Sequence, residues 1–197
     1  MSENHWKKVT AKTARSLVGP GLLEPESAEF LDSDIRPEAF IKALSDADQL
    51  TDAVKVMTRA LPVREAVWWA CVCARQMVAL TEDDVELAAV AAAEAWVFKP
   101  SEKNREQAFE LVKQKGSNGA GSMCALAATF SEGNVPMGEG QHLDVDPAIF
   151  LQLVDGVVMV SAAEKEGEKI KDRLRTYLLS GQDIACGGNG EIMDGPG

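Results

Sequence analysis

Residues 60–75 read ALPVREAVWWACVCAR and place two tryptophans, Trp68 and Trp69, side by side in a segment with few polar positions. Neighbouring residues on a helix point about 100° apart, so the two rings cannot face the same partner. We therefore expect the segment to be apolar on most of its circumference, as is typical of a helix at the centre of a domain. Both tryptophans are predicted to lie in the core, against different neighbouring helices.

Three faces can be drawn on this predicted helix. The broad apolar face consists of Val63, Ala66, Val67, Ala70, Cys71, Ala74, Met77 and Val78. The second face consists of Arg64, Trp68, Val72 and Arg75, and the third of Glu65, Trp69, Cys73 and Gln76. We expect Arg64 or Arg75 to lie over the Trp68 ring in a cation–π contact. Because tryptophan and arginine most often anchor interfaces, Trp69, Arg64 and Arg75 are the candidate partner-binding residues.

The remaining segments also show helical spacing, with Pro37 at a plausible first helical position and Pro62 as a stop. Strand signals are nearly absent, and the sequence predicts an all-α fold of about eight helices in consecutive hairpins. A compact bundle and a repeat-like array both fit this pattern. The predicted organisation is a partly irregular N-terminal arm over 1–35, one helical domain over 36–182, and a Gly-rich tail over 183–197. Residues 133–146, GNVPMGEGQHLDVD, are predicted to form an irregular loop.

Composition restricts the partners. The chain has 197 residues and a formal net charge of −11, which repels phosphate backbones and anionic membranes, so we expect no nucleic-acid partner. No stretch approaches the roughly 18 apolar residues of a membrane span, and no secretory signal is recognisable at the N-terminus. The four cysteines lie mostly in apolar helical surroundings, which is typical of free thiols in a reducing cytosol. We therefore expect a cytoplasmic protein without a membrane partner.

Two motifs deserve comparison with known chemistry. Cys71 and Cys73 form a C-x-C pair, but positions two apart diverge on a helix and no second cysteine pair follows, so we expect no metal site. The segment GSNGAGS, from Gly116 to Ser122, precedes a helix start, where backbone N–H groups can hold a phosphate. No strand precedes it and no Gly-Lys-Ser/Thr closes it, so a simple helix cap is the expected role.

No catalytic motif or cofactor site is recognisable elsewhere, since both G-x-S-x-G and H-E-x-x-H are missing. His142 next to Asp144 and Asp146 is a weak candidate base, and a solvated side chain is the expected interpretation. The leading prediction is therefore a non-enzymatic protein-binding module. The alternative is an enzyme that binds a small molecule or nucleotide through the Gly116–Gly121 turn, and a third option is a self-assembling subunit.

The segment Leu61 to Cys71, a Leu-Pro followed by Arg-Glu-Ala-Val-Trp-Trp-Ala-Cys, resembles the hallmark of an uncharacterised bacterial family of similar length. The resemblance continues through AWVFKPSEKNREQAF, with Trp96, Pro100, Asn104 and Arg105, and through ALAATFSEGNVP and RLRTYLLSGQDIACG. Members of that family are encoded beside type VI secretion genes, and no enzymatic activity is attached to them. The resemblance implies a cytosolic accessory, adaptor or chaperone role toward a spike or effector protein.

Overall fold

The structure, a computed structural model, describes residues 6–81, 84–115, 119–138, 140–163 and 169–192. Within these ranges the chain is mostly helical, with a single two-stranded sheet, which confirms the all-α prediction. The α-helices are α1 (Pro25–Ala28), α2 (Pro37–Asp46), α3 (Leu50–Ala60), α4 (Val63–Thr81), α5 (Asp84–Phe98), α6 (Glu102–Lys115), α7 (Ala120–Phe130), α8 (Pro147–Ala163) and α9 (Ile170–Cys186). In these ranges no helix combines the length and the apolarity that crossing a membrane would require.

Local sequence signals set several helix ends. Pro37 starts α2, and the extended Leu61 before Pro62 separates α3 from α4, because a residue that precedes proline avoids the helical region. Ser101 caps α6, since its hydroxyl accepts a hydrogen bond from the Asn104 N–H at 3.3 Å. Gly187 ends α9 with a φ of +100°, a conformation that glycine adopts without strain.

Two segments differ from the prediction. In the predicted irregular loop, β1 (Asn134–Gly138) pairs antiparallel with β2 (Gln141–Asp144), so these two segments are strands of a β-hairpin. The strands are short, and a bulge lies between Pro136 and Gly138. Because β2 is exposed throughout, its sequence lacks the alternation of apolar and polar residues that predicts a strand. In addition, α9 continues to Cys186, so helix extends into the first residues of the predicted Gly-rich tail.

The chain divides into two compact units, which are described separately. Unit 1 contains Met1–Pro62 and Glu166–Gly197, and in it α3 packs against α2 and α9. Unit 2 is the continuous segment Val63–Lys165. In unit 2, α7 packs against α5, α6 and α8, and α4 packs against α5, α7 and α8. That residues 36–182 form one domain stays a prediction.

A buried carboxylate connects the N-terminal arm to α3 in unit 1. The Asp52 side chain is 2% exposed and accepts hydrogen bonds from the Glu24 N–H at 2.8 Å and from Lys55 Nζ at 2.7 Å. Burial by itself would raise the pKa of Asp52, but the hydrogen bonds from Lys55, Glu24 and Ser27 together lower it below its ordinary value. Asp52 is therefore charged at neutral pH and holds the arm in place.

The turn between α2 and α3 is joined to α9 by charge. Asp48 has a φ of +63°, a left-handed conformation that aspartate tolerates better than most residues. Its carboxylate pairs with Lys171 and, at 2.7 Å, with Arg175 Nη2, both on α9. The hydrogen bond from Lys171 is the main reason that the pKa of Asp48 lies below its ordinary value. The turn thus connects the first and last parts of unit 1.

Small side chains allow the helices of unit 2 to approach closely. Ala89 of α5, Ala108 and Val112 of α6, and Ala125 of α7 form one buried cluster. The alanine-rich sequence of α5 is therefore a packing feature, because residues without long side chains bring neighbouring backbones together. The large core residue of α4, Trp69, is fully buried.

Candidate functional site

One face of α4 is accessible to solvent. The residues of the predicted broad apolar face are fully buried from Ala66 to Ala74, while Val63 at the helix start is exposed. The predicted second face lies at the surface: Arg64 is exposed, and Trp68, Val72 and Arg75 are half-buried. Because α5, α7 and α8 all pack against α4, most of its circumference is covered and this face is left open.

The two tryptophans have different environments. Trp69 is 0% exposed, so its ring has no accessible surface in this structure, and its assignment as a partner-binding residue stays a prediction. Trp68 is only half-buried, so the expectation that both rings lie in the core is wrong for Trp68. Of the two rings, Trp68 is the one that reaches the surface.

Trp68 forms an aromatic pair with the last residue of α5. Its ring centroid lies 5.7 Å from that of Phe98, and the ring planes meet at 61°, which is the favourable edge-to-face arrangement. Phe98 is 72% exposed, an unusual environment for a phenylalanine. The pair therefore presents two adjacent aromatic rings at the surface of unit 2.

Arg64 and Arg75 bind groups of α5 and do not lie over the Trp68 ring, so the predicted cation–π contact is not formed. Arg64 Nε donates to the Val97 carbonyl at 2.6 Å. Arg75 Nε and Nη2 donate to the two carboxylate oxygens of Glu94 at 2.9 and 2.6 Å, a bidentate ion pair. Arg75 is thus neutralised within the unit, whereas in the described part of the chain the terminal nitrogens of Arg64 have no partner.

The corner that follows Phe98 is held in place. Asn104 Nδ2 donates to the carbonyls of Ala95 at 3.0 Å and Lys99 at 2.8 Å, which joins the end of α5 to the start of α6. The Lys99 side chain is exposed directly after Phe98. We refer to Arg64, Trp68, Phe98 and Lys99 as the α4–α5 patch.

Three of the four cysteines are buried in the fold. Cys71, Cys73 and Cys124 are buried free thiols. Burial is the main reason that the pKa values of Cys73 and Cys124 lie well above the ordinary value, and a hydrogen bond with Cys71 adds to the effect for Cys124. Because the thiolate is the metal ligand and nucleophile, these thiols are unsuited to either role. Among the described residues no cluster of His, Cys, Asp and Glu is arranged to hold a metal ion.

A buried carboxylate occupies the glycine-rich turn, of which residues 116–118 lie outside the described ranges. Glu86 of α5 is 8% exposed, and its two oxygens accept hydrogen bonds from the Ser122 N–H at 2.9 Å and the Ser122 hydroxyl at 2.6 Å. A Cβ atom on Gly121 would lie 2.3 Å from the Glu86 carbonyl oxygen, so the close approach requires glycine there. The N-terminus of α7 thus binds an anion that the chain itself supplies.

His142 lies at an exposed position on the hairpin and contacts a carboxylate of α6. Its Nε2 lies 3.0 Å from Glu102 Oε1 at the start of α6, rather than beside Asp144 or Asp146. The contact joins the hairpin to α6 at a solvent-exposed position. It brings together none of the other candidate residues, so the structure builds no acid–base site around this histidine.

The comparisons with known proteins agree with the predicted resemblance at the level of an uncharacterised family. A family profile described as "Family of unknown function (DUF6931)" matches residues 40–185. The chain belongs to this family. No curated protein and no solved structure matches the chain.

The DUF6931 match includes residues whose role is to build the fold. Arg105 is 0% exposed, and its Nε and Nη2 donate to the Thr129 carbonyl at 3.0 and 2.7 Å. Nη1 donates to Glu132 Oε2 at 2.8 Å, and Nη2 to Asn134 Oδ1 at 2.9 Å. One guanidinium therefore joins α6 to the end of α7 and to β1. Sequence reasoning named Arg105 but could not assign these partners.

Two further residues of the shared motifs also serve the fold. Trp96 is buried, and Asn104 is engaged by the corner between α5 and α6. Within the hallmark segment from Leu61 to Cys71, Arg64 and Trp68 reach the surface and contact the end of α5. Val63 is exposed as well, so the accessible part of the hallmark lies on the first turns of α4.

Proposed function

We propose that the chain is a non-enzymatic accessory protein of the bacterial cytosol, an adaptor or chaperone-like module that binds one protein partner through the α4–α5 patch. The partner is a component or an effector of a type VI secretion system. The observation that carries the proposal is the aromatic pair of Trp68 and Phe98, which is exposed beside Arg64.

The chemistry of the patch suits a protein partner. Tryptophan and arginine are enriched among residues that dominate binding energy, and aromatic rings supply large contact areas with few rotatable bonds. Trp68 is held by Phe98, and Arg64 by the Val97 carbonyl, so both side chains are ordered before a partner arrives. Ordering in advance lowers the entropy lost on binding.

The environments of the buried thiols and of the glycine-rich turn also favour a binding role over the enzyme alternative. The thiols of Cys73 and Cys124 are kept protonated by burial, and the Ser122 N–H that a phosphate would need at the Gly116–Gly121 turn is bound to Glu86. A ligand at this turn would have to displace a buried carboxylate. The proposal therefore places function on the surface of α4 and α5 rather than at the turn.

Affinity capture from the native host tests the proposal. The full-length chain carries a tag, and quantitative mass spectrometry compares the wild type with Trp68→Ala and Phe98→Ala. Phe30→Ala is the matched control, because Phe30 is also an exposed phenylalanine and lies in unit 1. We expect a secretion component or effector to be retained by the wild type and the control, and to fall about tenfold or more with each patch variant, as is usual for a hot spot.

Three outcomes would contradict the proposal. Recovery of the monomer alone under gentle conditions would argue against a stable partner. Capture of a partner that is unaffected by Trp68→Ala and Phe98→Ala would place the interface elsewhere. A concentration-dependent oligomer that dissociates with the same substitutions would instead favour the self-assembling subunit.

A further inference from the structure

The α4–α5 patch carries positive charge in a strongly acidic chain. The chain has 31 acidic and 20 basic residues, yet Arg64 and Lys99 lie beside the aromatic pair without a carboxylate partner among the residues that the structure describes. Arg75, farther along the same face, shows the contrast, because Glu94 neutralises it. The patch is therefore a local cationic site next to exposed aromatic rings.

We infer that the occupant of the patch is an acidic protein segment that carries a carboxylate close to an apolar side chain. This inference rests on the proposed function and specifies its partner. The carboxylate binds the terminal nitrogens of Arg64, with Lys99 adding a second positive charge. The apolar side chain covers the rings of Trp68 and Phe98.

The geometry of Arg64 supports a carboxylate. Its Nε donates to the Val97 carbonyl, which fixes the guanidinium and leaves Nη1 and Nη2 to donate to a planar anion. Val97 directly precedes Phe98, so the cation and the exposed ring are adjacent. An extended residue spans about 3.3 Å, so a carboxylate within about four residues of the apolar side chain can reach both.

Charge complementarity distinguishes the candidate occupants. A basic segment would be repelled by Arg64 and Lys99 at the point of contact. Single-stranded nucleic acid also combines anions with flat rings, but the grooves that bind it are lined with many basic residues. The patch has only two, Arg64 and Lys99, in a chain with a net charge of −11. An acidic peptide needs only one or two charge contacts beside its apolar anchor.

A selection experiment tests the inference without knowledge of the natural partner. The probe is a displayed library of random twelve-residue peptides, selected on the immobilised full-length chain and, in parallel, on Arg64→Glu. We expect peptides selected by the wild type to carry Asp or Glu within about four residues of Trp, Phe or Leu. The Arg64→Glu selection should lose this class.

Two synthetic peptides make the test quantitative. One is an enriched peptide, and the other replaces its acidic residue by the corresponding amide. We expect Arg64→Gln to weaken binding of the acidic peptide by about tenfold or more, as charge-assisted hydrogen bonds do, and to leave the amide peptide nearly unchanged. Arg15→Gln is the matched control, because Arg15 is also exposed and bound to a backbone carbonyl, that of Leu31 at 2.9 Å.

The outcomes separate the inference from the proposed function. Peptides that require Trp68 but lack acidic residues and bind Arg64→Gln equally well would overturn the inference and leave the proposed function standing. Peptides that are indifferent to both Trp68→Ala and Arg64→Gln would count against both. An empty selection, or tighter binding of a fluorescent thymidine oligonucleotide than of the acidic peptide, would also overturn the inference.

Discussion

Replacing each of the two neighbouring tryptophans by alanine should affect stability to very different extents. Trp69 is fully buried, so Trp69→Ala removes all of its packing and leaves a cavity, at a cost of about 3–5 kcal/mol. Trp68 is half-buried, so Trp68→Ala loses part of its apolar contact and an edge-to-face pair worth about 0.5–1.5 kcal/mol. We expect a total cost of about 1–2 kcal/mol for Trp68→Ala.

Thermal denaturation followed by circular dichroism at 222 nm measures the difference. For a chain of this size each kcal/mol lowers the melting temperature by about 2–4 °C, so Trp69→Ala should melt about 6–20 °C lower than the wild type. Trp69→Phe, which leaves a smaller cavity, serves as the second variant if Trp69→Ala does not fold. Equal destabilisation by Trp68→Ala and Trp69→Ala, or the reverse order, would refute the assignment of the two rings to surface and core.

Three further predictions concern other parts of the chain. Gly121→Ala should destabilise the fold by about 1–3 kcal/mol, because the added Cβ would collide with the Glu86 backbone. Gly19→Ala is the control, since a Cβ at that position meets no atom within 4 Å. Equal melting temperatures of the two variants would contradict the close contact at Gly121. The pKa of Asp52 is lowered by folding, so its contribution to stability is present above the unfolded value of about 3.8 and is lost as the pH falls through the folded value. Asp52→Asn should therefore lower the free energy of unfolding at neutral pH and weaken its dependence on pH below about 4. If the free energy of unfolding of the variant fell with acid as steeply as that of the wild type, this role of Asp52 would be contradicted. In thiol titration with a chromogenic disulfide, Cys186 alone of the four cysteines should react in the native chain, and all should react in denaturant; early reaction of a second thiol would contradict the burial of the others.

Periodicity predicted the helices, but it could not decide which tryptophan is exposed. Residues 66–74 of α4 are apolar at most positions, so the sequence gives the angular separation of Trp68 and Trp69 and not the direction in which each one points. That direction is set by α5, α7 and α8, which pack around α4. Sequence spacing therefore separates the two rings but does not show which one reaches the surface.

The residues that sequence reasoning missed depend on distant partners. The role of Glu86 is not visible in the sequence, because its partner Ser122 lies 36 positions away and the contact produces no periodic pattern. Phe98, at the end of an apolar helix, reads as a core residue until the structure shows that nothing covers most of it. The signals that were available were the glycines at 119 and 121, which indicate a close approach of another chain segment.

The division of the chain has a consequence for biosynthesis. Unit 2 is continuous, so all of its residues have been translated before those of α9 are made. Unit 1 draws on both ends of the chain, and the pairing of Asp48 with Lys171 and Arg175 spans more than a hundred residues. The early helices α2 and α3 therefore wait, with part of their apolar surface uncovered, until the last segment has been translated. A nascent chain that is released before α9 has been made exposes that surface and becomes a substrate for chaperones or proteases.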